Sequence, residues 1–177
     1  MTRTTFRAVV IAVAAVAAGC AANTATPNGE LPCRAARFAP PFGAVDPCSA
    51  EAVLTAAVTA VFGYRPSEHL DQRGAFRVAR PLMDSGFAQR AQPAALVWAP
   101  VSAMQWHQWR TDATTLAASA RVTSDDHPAD TATAVSRVLA VELEPSNQPP
   151  VRWAVYAHAT RTTAGSAWLL SGLEVQA

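Results

Sequence analysis

The stretch Val151-Arg152-Trp153-Ala154-Val155-Tyr156-Ala157-His158-Ala159-Thr160 alternates between two sets of side chains. One set is apolar and consists of Val151, Trp153, Val155, Ala157 and Ala159. The opposite set contains Arg152, Tyr156, His158 and Thr160. Because successive residues of a strand point to opposite faces of the sheet, this period of two predicts a β-strand with one covered face.

The same period recurs in three neighbouring segments. Before this stretch, Leu116, Ala118, Ala120 and Val122 alternate with polar residues, and Val135, Leu139, Val141 and Leu143 share a face on which Arg137 is the exception. After it, the last strand is predicted from Ala167 to Val175, with a bulge at Gly172. Turn residues separate all of these segments. Four alternating strands joined by turns predict an antiparallel meander.

The preceding part of the chain has helical spacing instead. One apolar stripe consists of Leu54, Ala57, Val58, Val61 and Phe62. Asp46-Pro47 is a typical helix start, and Gly63 is a typical helix end. The stripe therefore predicts a first amphipathic helix that begins at Asp46-Pro47.

Further elements are predicted between this helix and the strands. A second helix is predicted from about Glu68 to Arg80, with Ser67 as its N-cap and Pro81 as its end. A short third helix or turn follows from Leu82 to Ala91, and Leu96-Val97-Trp98 is predicted as a short strand. Helices first and strands after predict an α+β class, with N-terminal helices packed on a curved antiparallel sheet of about four strands.

The N-terminal residues carry an export pattern. Arg3 and Arg7 precede an apolar run that ends in Val16-Ala17-Ala18-Gly19-Cys20. The run of about eleven apolar residues suits a signal-peptide core and is shorter than a bilayer span, which takes about 20 residues. Small residues before Cys20 resemble a bacterial lipobox. The resemblance implies cleavage before Cys20 and attachment of lipid, such as palmitate, to its thiol.

This pattern sets the expected location and the division of the chain. Lipid on Cys20 would anchor the protein at the extracytoplasmic face of the cell membrane. The alternatives are an ordinary signal peptide, cut near Ala18-Gly19 or Ala21-Ala22, and a short retained anchor. The predicted divisions are a signal peptide (1–19), a flexible tether (20–30), a Pro-rich segment closed by a disulfide (31–48) and a folded domain (49–177).

Charge limits the class of partner. The chain has 14 basic and 13 acidic side chains, and without Arg3 and Arg7 it has 12 basic against 13 acidic. A near-neutral chain with no basic run argues against nucleic acid as a partner.

Two cysteines remain besides Cys20. Cys33 and Cys48 enclose about 14 residues, and an oxidising compartment favours their pairing. A disulfide that closes a loop of this size stabilises the fold by about 3 kcal/mol. The alternative is two free thiols. No nearby histidine completes a zinc-ligand set, so the sequence predicts neither a metal site nor a cofactor.

The order of elements is similar to the nuclear transport factor 2-like, or cystatin-like, cone. The closing stretch Trp168-Leu169-Leu170-Ser171-Gly172-Leu173-Glu174-Val175 is typical of its extracytoplasmic members in actinobacteria. Phe62-Gly63-Tyr64-Arg65-Pro66, the Trp106–Trp109 spacing and Pro128-Ala129-Asp130-Thr131 resemble conjugative-transposon transfer proteins related to the type IV secretion inner-membrane scaffold. The resemblance implies a noncatalytic scaffold that assembles with itself and with other envelope proteins. Those scaffolds usually carry a transmembrane helix, whereas this chain has the predicted lipid anchor.

Aromatic residues are the main ligand-binding candidates. An apolar pocket between sheet and helices would be lined by Trp98, Trp106, Trp109 and Trp153. The alternative for the pair Trp106 and Trp109 is a structural role at the end of the sheet.

The polar face of the third strand is the other candidate site. If that face lined the concave side of the sheet, Arg152, Tyr156 and His158 would form a polar cluster in a pocket. The alternative is a solvated sheet face.

Catalytic motifs are absent from the sequence. No nucleophile elbow, phosphate loop or metal-ligand spacing occurs, so no catalytic residue is predicted. His158 and the pair His107 and Asp112 are the remaining acid–base candidates.

Arginines recur at helical spacing in the second predicted helix. They are Arg73, Arg77 and Arg80. They form either an anion- or partner-binding stripe or a solvated, salt-bridged face.

Three classes of function follow from these observations. The first is a lipid-anchored scaffold or interaction module of the cell envelope, possessing an apolar patch on the open sheet face. The second is a carrier for an apolar ligand or lipid in a cavity lined by tryptophans. The third is a small acid–base enzyme, which would need a buried titratable group with a perturbed pKa.

Overall fold

A computed structural model describes residues 33–176. The predicted signal peptide, Cys20 and the tether lie outside these residues. The helices come first, as α1 (Ala50–Val61), α2 (Arg73–Ala79), α3 (Ser85–Ala91) and α4 (Ala103–Thr111). The strands follow as β1 (Leu116–Val122), β2 (Ala134–Pro145), β3 (Val151–Thr160) and β4 (Leu169–Gln176). The predicted α+β class is therefore confirmed. Among the described residues, no helix has both the length and the apolar character needed to cross a membrane.

The four strands form one antiparallel sheet in the order β1-β2-β3-β4. Trp153 lies opposite Val141, and Val155 lies between Leu139 on β2 and Val175 on β4. Residues directly opposite each other share a face, so the apolar sets of neighbouring strands form one surface. Helix α1 packs on that surface and contacts all four strands. The other side of the sheet, here called the open face, carries the polar set of β3.

A bulge in β4 makes the last strand fit this surface. His158 pairs with Gly172 and Ala159 pairs with Leu170, so Ser171 is the extra residue. The insertion lets Leu170 and Leu173, three positions apart, both point into the core. The Ser171 hydroxyl donates to the backbone oxygen of His158 at 3.2 Å. The predicted bulge is confirmed at the position next to Gly172.

Helix α1 begins later than predicted. Asp46 Oδ1 accepts a hydrogen bond from the Cys48 amide at 2.9 Å and so closes a turn before the helix. Ser49 is the N-cap, and its hydroxyl accepts from the Ala52 amide at 3.2 Å. The start at Asp46-Pro47 is therefore wrong, because the aspartate serves the preceding turn. Gly63 follows the C-cap Phe62, which confirms the predicted end.

Helix α2 is shorter than predicted, and Ser67 does not cap it. Arg110 of α4 donates to the backbone oxygens of Pro66 (2.9 Å), His69 (2.5 Å) and Leu70 (2.7 Å). These carbonyls are bonded to a side chain instead of to amides four residues ahead, so residues 65–72 form turns. The helix covers only Arg73–Ala79, and a 3-10 turn over Arg80–Leu82 follows it.

The predicted strand at Leu96-Val97-Trp98 is wrong. Residues 94–96 form a 3-10 turn, Val97 is 79% exposed, and the Trp98 ring packs against Phe76 and Phe87. On the β4 side of the sheet, the isolated bridge to Leu170 is made by Met83 and not by this segment.

Two helices start at side-chain caps that local spacing did not locate. Asp84 accepts from the Phe87 amide at 2.9 Å, so the third helix begins at Ser85, later than the predicted Leu82. Ser102 accepts from the Gln105 amide at 3.1 Å and starts α4, which the sequence did not predict as a helix.

The Pro-rich segment is fixed to the domain at both ends of its cysteine loop. Cys33 and Cys48 form a disulfide with their Cα atoms 5.7 Å apart, which confirms the predicted pairing. The Arg34 amide donates to the Gly165 oxygen, and the Trp168 amide donates to the Pro47 oxygen. Phe38 and Phe42 pack against the core from this segment.

Candidate functional site

Three of the four candidate tryptophans, Trp106, Trp109 and Trp153, are buried in the core, and Trp98 is partly buried against it. Trp106 donates from its indole nitrogen to the Leu70 oxygen at 3.1 Å, and Trp109 donates to Gln148 Oε1 at 3.0 Å. Trp153 meets Phe62 edge to face, with ring centroids 5.0 Å apart, and Trp98 packs on phenylalanines as described. Neither of the two pockets described next has a tryptophan in its wall.

One of these pockets lies on the open face of the sheet and has a volume of about 320 Å³. We call it the open-face pocket. Its polar lining residues come from β2, β3, β4 and the β1–β2 loop: Asp126, His127, Ser136, Arg137, Tyr156, His158 and Glu174. Tyr156 and His158, two of the residues predicted from the sequence, therefore line one pocket.

Strand register builds one wall of the open-face pocket. Ser136, His158 and Gly172 lie in one cross-strand row. The Ser136 hydroxyl and His158 Nδ1 are 2.8 Å apart and hydrogen bonded. A Cβ atom at Gly172 would lie 3.3 Å from the His158 Cβ, so the glycine keeps the space beside the imidazole open.

The next row provides an aromatic ring and a carboxylate. Tyr156 lies opposite Glu174, and both side chains are exposed, with Tyr156 at 44%. Arg152, the third member of the predicted cluster, lies four residues from Tyr156 and pairs with Glu142. The structure thus brings together Tyr156 and His158 but leaves Arg152 out of the pocket.

A charge cluster borders the open-face pocket. Arg137 donates to Asp130 through two nitrogens at 2.7 Å and to Glu51 of α1 at 2.9 Å, and its side chain is only 11% exposed. The hydrogen bonds from Arg137 hold the pKa of Asp130 below its usual value, and those same bonds raise the pKa of Arg137. Arg137 is the charged exception on the apolar face of β2, and these two carboxylates explain it.

The acid–base candidates do not form a catalytic arrangement in the described residues. His158 bonds to Ser136, and within residues 33–176 no carboxylate bonds to its other ring nitrogen. His107 and Asp112 are both exposed on α4 and share no hydrogen bond. Two residues five positions apart on a helix have side chains that point about 140° apart around the helix axis.

The three arginines of the predicted stripe differ in their contacts. Arg73 donates from Nε to Asp71 Oδ1 at 3.1 Å and from Nη2 to Asp71 Oδ2 at 2.5 Å, and these hydrogen bonds lower the pKa of that carboxyl. Arg77 and Arg80 are exposed.

A second pocket, here called the helix-side groove, lies between the Pro-rich segment, α1 and the start of β1. It has a volume of about 720 Å³ and is lined in part by Phe42, Tyr64, His69 and Leu116. Burial raises the pKa of Tyr64. Burial also lowers the pKa of His69, whose Nδ1 is buried without a partner among the described residues.

Several of these residues were not identified from the sequence. Ser136 and Glu174 alternate with apolar residues as His158 does, but only the strand register places them beside Tyr156 and His158. Asp126 and His127 lie in a turn whose position over the sheet has no sequence signal. Among residues 33–176, no cluster of three or more His, Cys, Asp or Glu side chains has metal-binding geometry.

Comparison with protein-family models, with curated proteins and with solved structures found no match to this chain.

Proposed function

We propose that this protein is a noncatalytic, lipid-anchored interaction module on the extracytoplasmic face of the cell membrane. In this proposal its domain is a nuclear transport factor 2-like cone, and an envelope protein of a transfer or secretion assembly docks on the open face. The observation that carries the proposal is the open-face pocket, a recess beside the exposed Tyr156 on the face of the sheet opposite α1.

The order of the elements supports the cone. Helices precede a four-stranded antiparallel meander, and α1 packs across all four strands. Trp106, Trp109 and Trp153 lie in the core, whereas Tyr156 on the open face is exposed.

Charge indicates the chemistry of the docking group. Arg137 is neutralised by Glu51 and Asp130, whereas Asp126 and Glu174 form no ion pair among the described residues. The fixed charges left at the pocket are therefore negative. A lysine or arginine of the partner would pair with these carboxylates and lie against the Tyr156 ring, where cation–π attraction adds about 0.5–1 kcal/mol at an exposed site.

Site-specific photo-crosslinking tests this proposal in the cell's own membranes. The sequence contains no lysine, so amine-directed reagents would find no side chain on this chain. A photo-reactive residue at Ala154, two positions from Tyr156 on the open face, should yield a discrete adduct with one envelope protein. The same residue at Met104, which is 81% exposed on α4, is the matched control and should yield none.

Charge variants then test the pocket itself. Asp126→Asn with Glu174→Gln should reduce the adduct at position 154 several-fold, and raised salt should do the same. Glu68→Gln removes an exposed carboxylate on the helix side and should leave the adduct unchanged. Equal adducts at positions 154 and 104, or an adduct unaffected by the double variant, would overturn the proposal.

The helix-side groove favours a second candidate function, a carrier for an apolar ligand or lipid. Its volume of about 720 Å³ suits a small apolar molecule, and the buried Nδ1 of His69 is an unused polar group beside it. Ala60→Trp would fill the groove and should abolish binding of a fluorescent fatty acid. Unchanged binding in that variant, or none in the native protein, would exclude this candidate.

A further inference from the structure

Strand β1 is the uncovered edge of the sheet. Among the described residues it pairs only with β2. The opposite edge is partly covered, because the Asp84 amide donates to the Leu170 oxygen of β4 at 2.8 Å and Met83 bridges to the same residue. The two edges of the sheet are therefore not equivalent.

The hydrogen-bond pattern shows which groups of β1 point outward. The Thr115 oxygen accepts from the Ser146 amide, and the Thr123 amide donates to the Val138 oxygen. Bonded positions alternate in an antiparallel ladder, so the odd-numbered residues between them bond to β2. The amides and carbonyls that point away from β2 belong to Leu116, Ala118, Ala120 and Val122.

This edge lacks the usual protection against pairing. Natural edge strands are blocked by proline, bulges or inward charges. The sequence of β1, Leu-Ala-Ala-Ser-Ala-Arg-Val, contains no proline, and its register with β2 is unbroken from Leu116 to Val122. Its single charge, Arg121, lies on the open face.

We propose that β1 pairs with β1 of a second copy of this chain, antiparallel and centred on Ser119, to form a continuous eight-stranded sheet. In this register Leu116 lies opposite Val122 of the partner subunit, and Ala118 lies opposite Ala120 of the partner subunit. The outward amides and carbonyls of all four residues in each strand then face those of the other strand, which gives about eight backbone hydrogen bonds. Any other antiparallel register leaves some of these groups unpaired.

Charge complementarity favours a second copy over an unrelated strand. Arg121 and Glu144 are both exposed and form no ion pair among the described residues. Ala117 lies beside Glu144 in the sheet and would lie opposite Arg121 of the partner subunit. Glu144 and that arginine would then be about 10 Å apart between Cα atoms with only an alanine between them, a distance that two long side chains span. The two-fold axis produces this pair twice.

The helix layer leaves room for the second copy. A shallow cleft of about 760 Å³ runs between α1 and the edge of β1, past Ala120 and Val122. It can receive the side chain of Leu116 of the partner subunit. A shared membrane surface, which rests on the lipid anchor of the proposed function, would raise the local concentration of the two copies.

Cysteine crosslinking tests the register in the full-length, membrane-bound protein. Ser119 faces itself across the two-fold axis in a non-hydrogen-bonded pair, where Cα atoms lie about 4.5 Å apart. Ser119→Cys should therefore form a covalent dimer on mild oxidation, in most of the chains. Ala117→Cys is equally exposed, but the two cysteines would be separated by about four residues of strand, roughly 14 Å, which no disulfide spans. It should give at least tenfold less dimer, as should the native chain.

A proline variant separates pairing from folding. Ala120→Pro removes an outward amide that β2 does not use, so the domain should keep its secondary structure and thermal stability while losing the crosslink of the Ser119→Cys background. It should also leave the photo-adduct at position 154 unchanged, so the dimer and the open-face proposal fail independently. Equal dimer from Ser119→Cys and Ala117→Cys, or no dimer from either, would overturn the proposed pairing.

Discussion

At the scale of single residues, Gly74 shows a contact that overrides helix propensity. It lies in α2, where alanine normally stabilises a helix by about 1 kcal/mol relative to glycine. A Cβ atom there would lie 2.3 Å from Cγ and 2.5 Å from Cβ of His69. The imidazole of His69 packs directly on Gly74. The Cβ atom of His69 can move away only if the turn that carries His69 also moves.

Gly74→Ala is therefore expected to destabilise the domain by about 1–3 kcal/mol, through displacement of His69. Gly86→Ala in α3 is the matched control. There the nearest atom is the Nη1 of Arg90 at 2.9 Å, the flexible end of a side chain that can move away, and Asp84 Oδ1 at 3.2 Å needs to shift by only a few tenths of an ångström. It should be neutral or stabilising. Urea unfolding of both variants measures the difference, and equal stability would contradict the contact.

At the scale of elements, Arg137 joins three parts of the fold. It extends from β2, bonds to Glu51 in the first turn of α1, and bonds to Asp130 in the β1–β2 loop. The cluster therefore fixes the loop beside the open-face pocket and one end of α1 relative to the sheet.

Replacing Arg137 with methionine keeps the apolar stem and removes these bonds. The expected loss is about 1–2 kcal/mol at neutral pH. Arg137 holds the pKa of Asp130 below its ordinary value of 3.8, so this stabilisation is fully present well above pH 3.8 and is lost as pH falls through the lower pKa of the folded state. The native protein and Arg137→Met should converge in stability toward pH 3.

Unfolding by urea at several pH values measures this convergence. Arg152→Met, which breaks the exposed pair with Glu142, should change stability less than Arg137→Met at neutral pH. A constant difference between the native protein and Arg137→Met from pH 7 to pH 3 would show that the cluster does not act through Asp130.

At the scale of the whole molecule, the proposed location at the membrane rests on lipid attached to Cys20. Cys20→Ser is expected to move the protein from the membrane fraction to the soluble fraction and to abolish labelling with radioactive palmitate. The double variant Cys33→Ser/Cys48→Ser removes the disulfide and should leave the protein in the membrane. Retention of Cys20→Ser in washed membranes would refute the lipid anchor.

The strand region was predicted well because its signal is local. Each strand needs only its own alternation to reveal which face is covered, and Trp153, Val155 and Ala157 are buried as expected. The helix boundaries were predicted poorly because caps depend on competition between polar groups. Asp46 serves a turn and Ser49 serves the helix, although both are good N-caps.

The candidate site was predicted only in part, because only part of its signal is local. The face shared by Tyr156 and His158 follows from the period of two in β3. The neighbours that make it a pocket, Ser136 and Glu174, come from strands up to 22 residues away. The role of Arg110, which holds the turn before α2, also depends on residues distant in the chain.

The sequence by itself determined the α+β class, the covered face of each strand and the Cys33–Cys48 pair, because each follows from side-chain period or from a short span of chain. Only the tertiary structure decided that Trp106, Trp109 and Trp153 lie in the core, that Arg137 is neutralised by Glu51 and Asp130, and that β1 is an edge strand among the described residues. These features depend on strand register and on how α1 crosses the sheet. A shift of one residue in register would change every partner without changing the local pattern that predicted the strands.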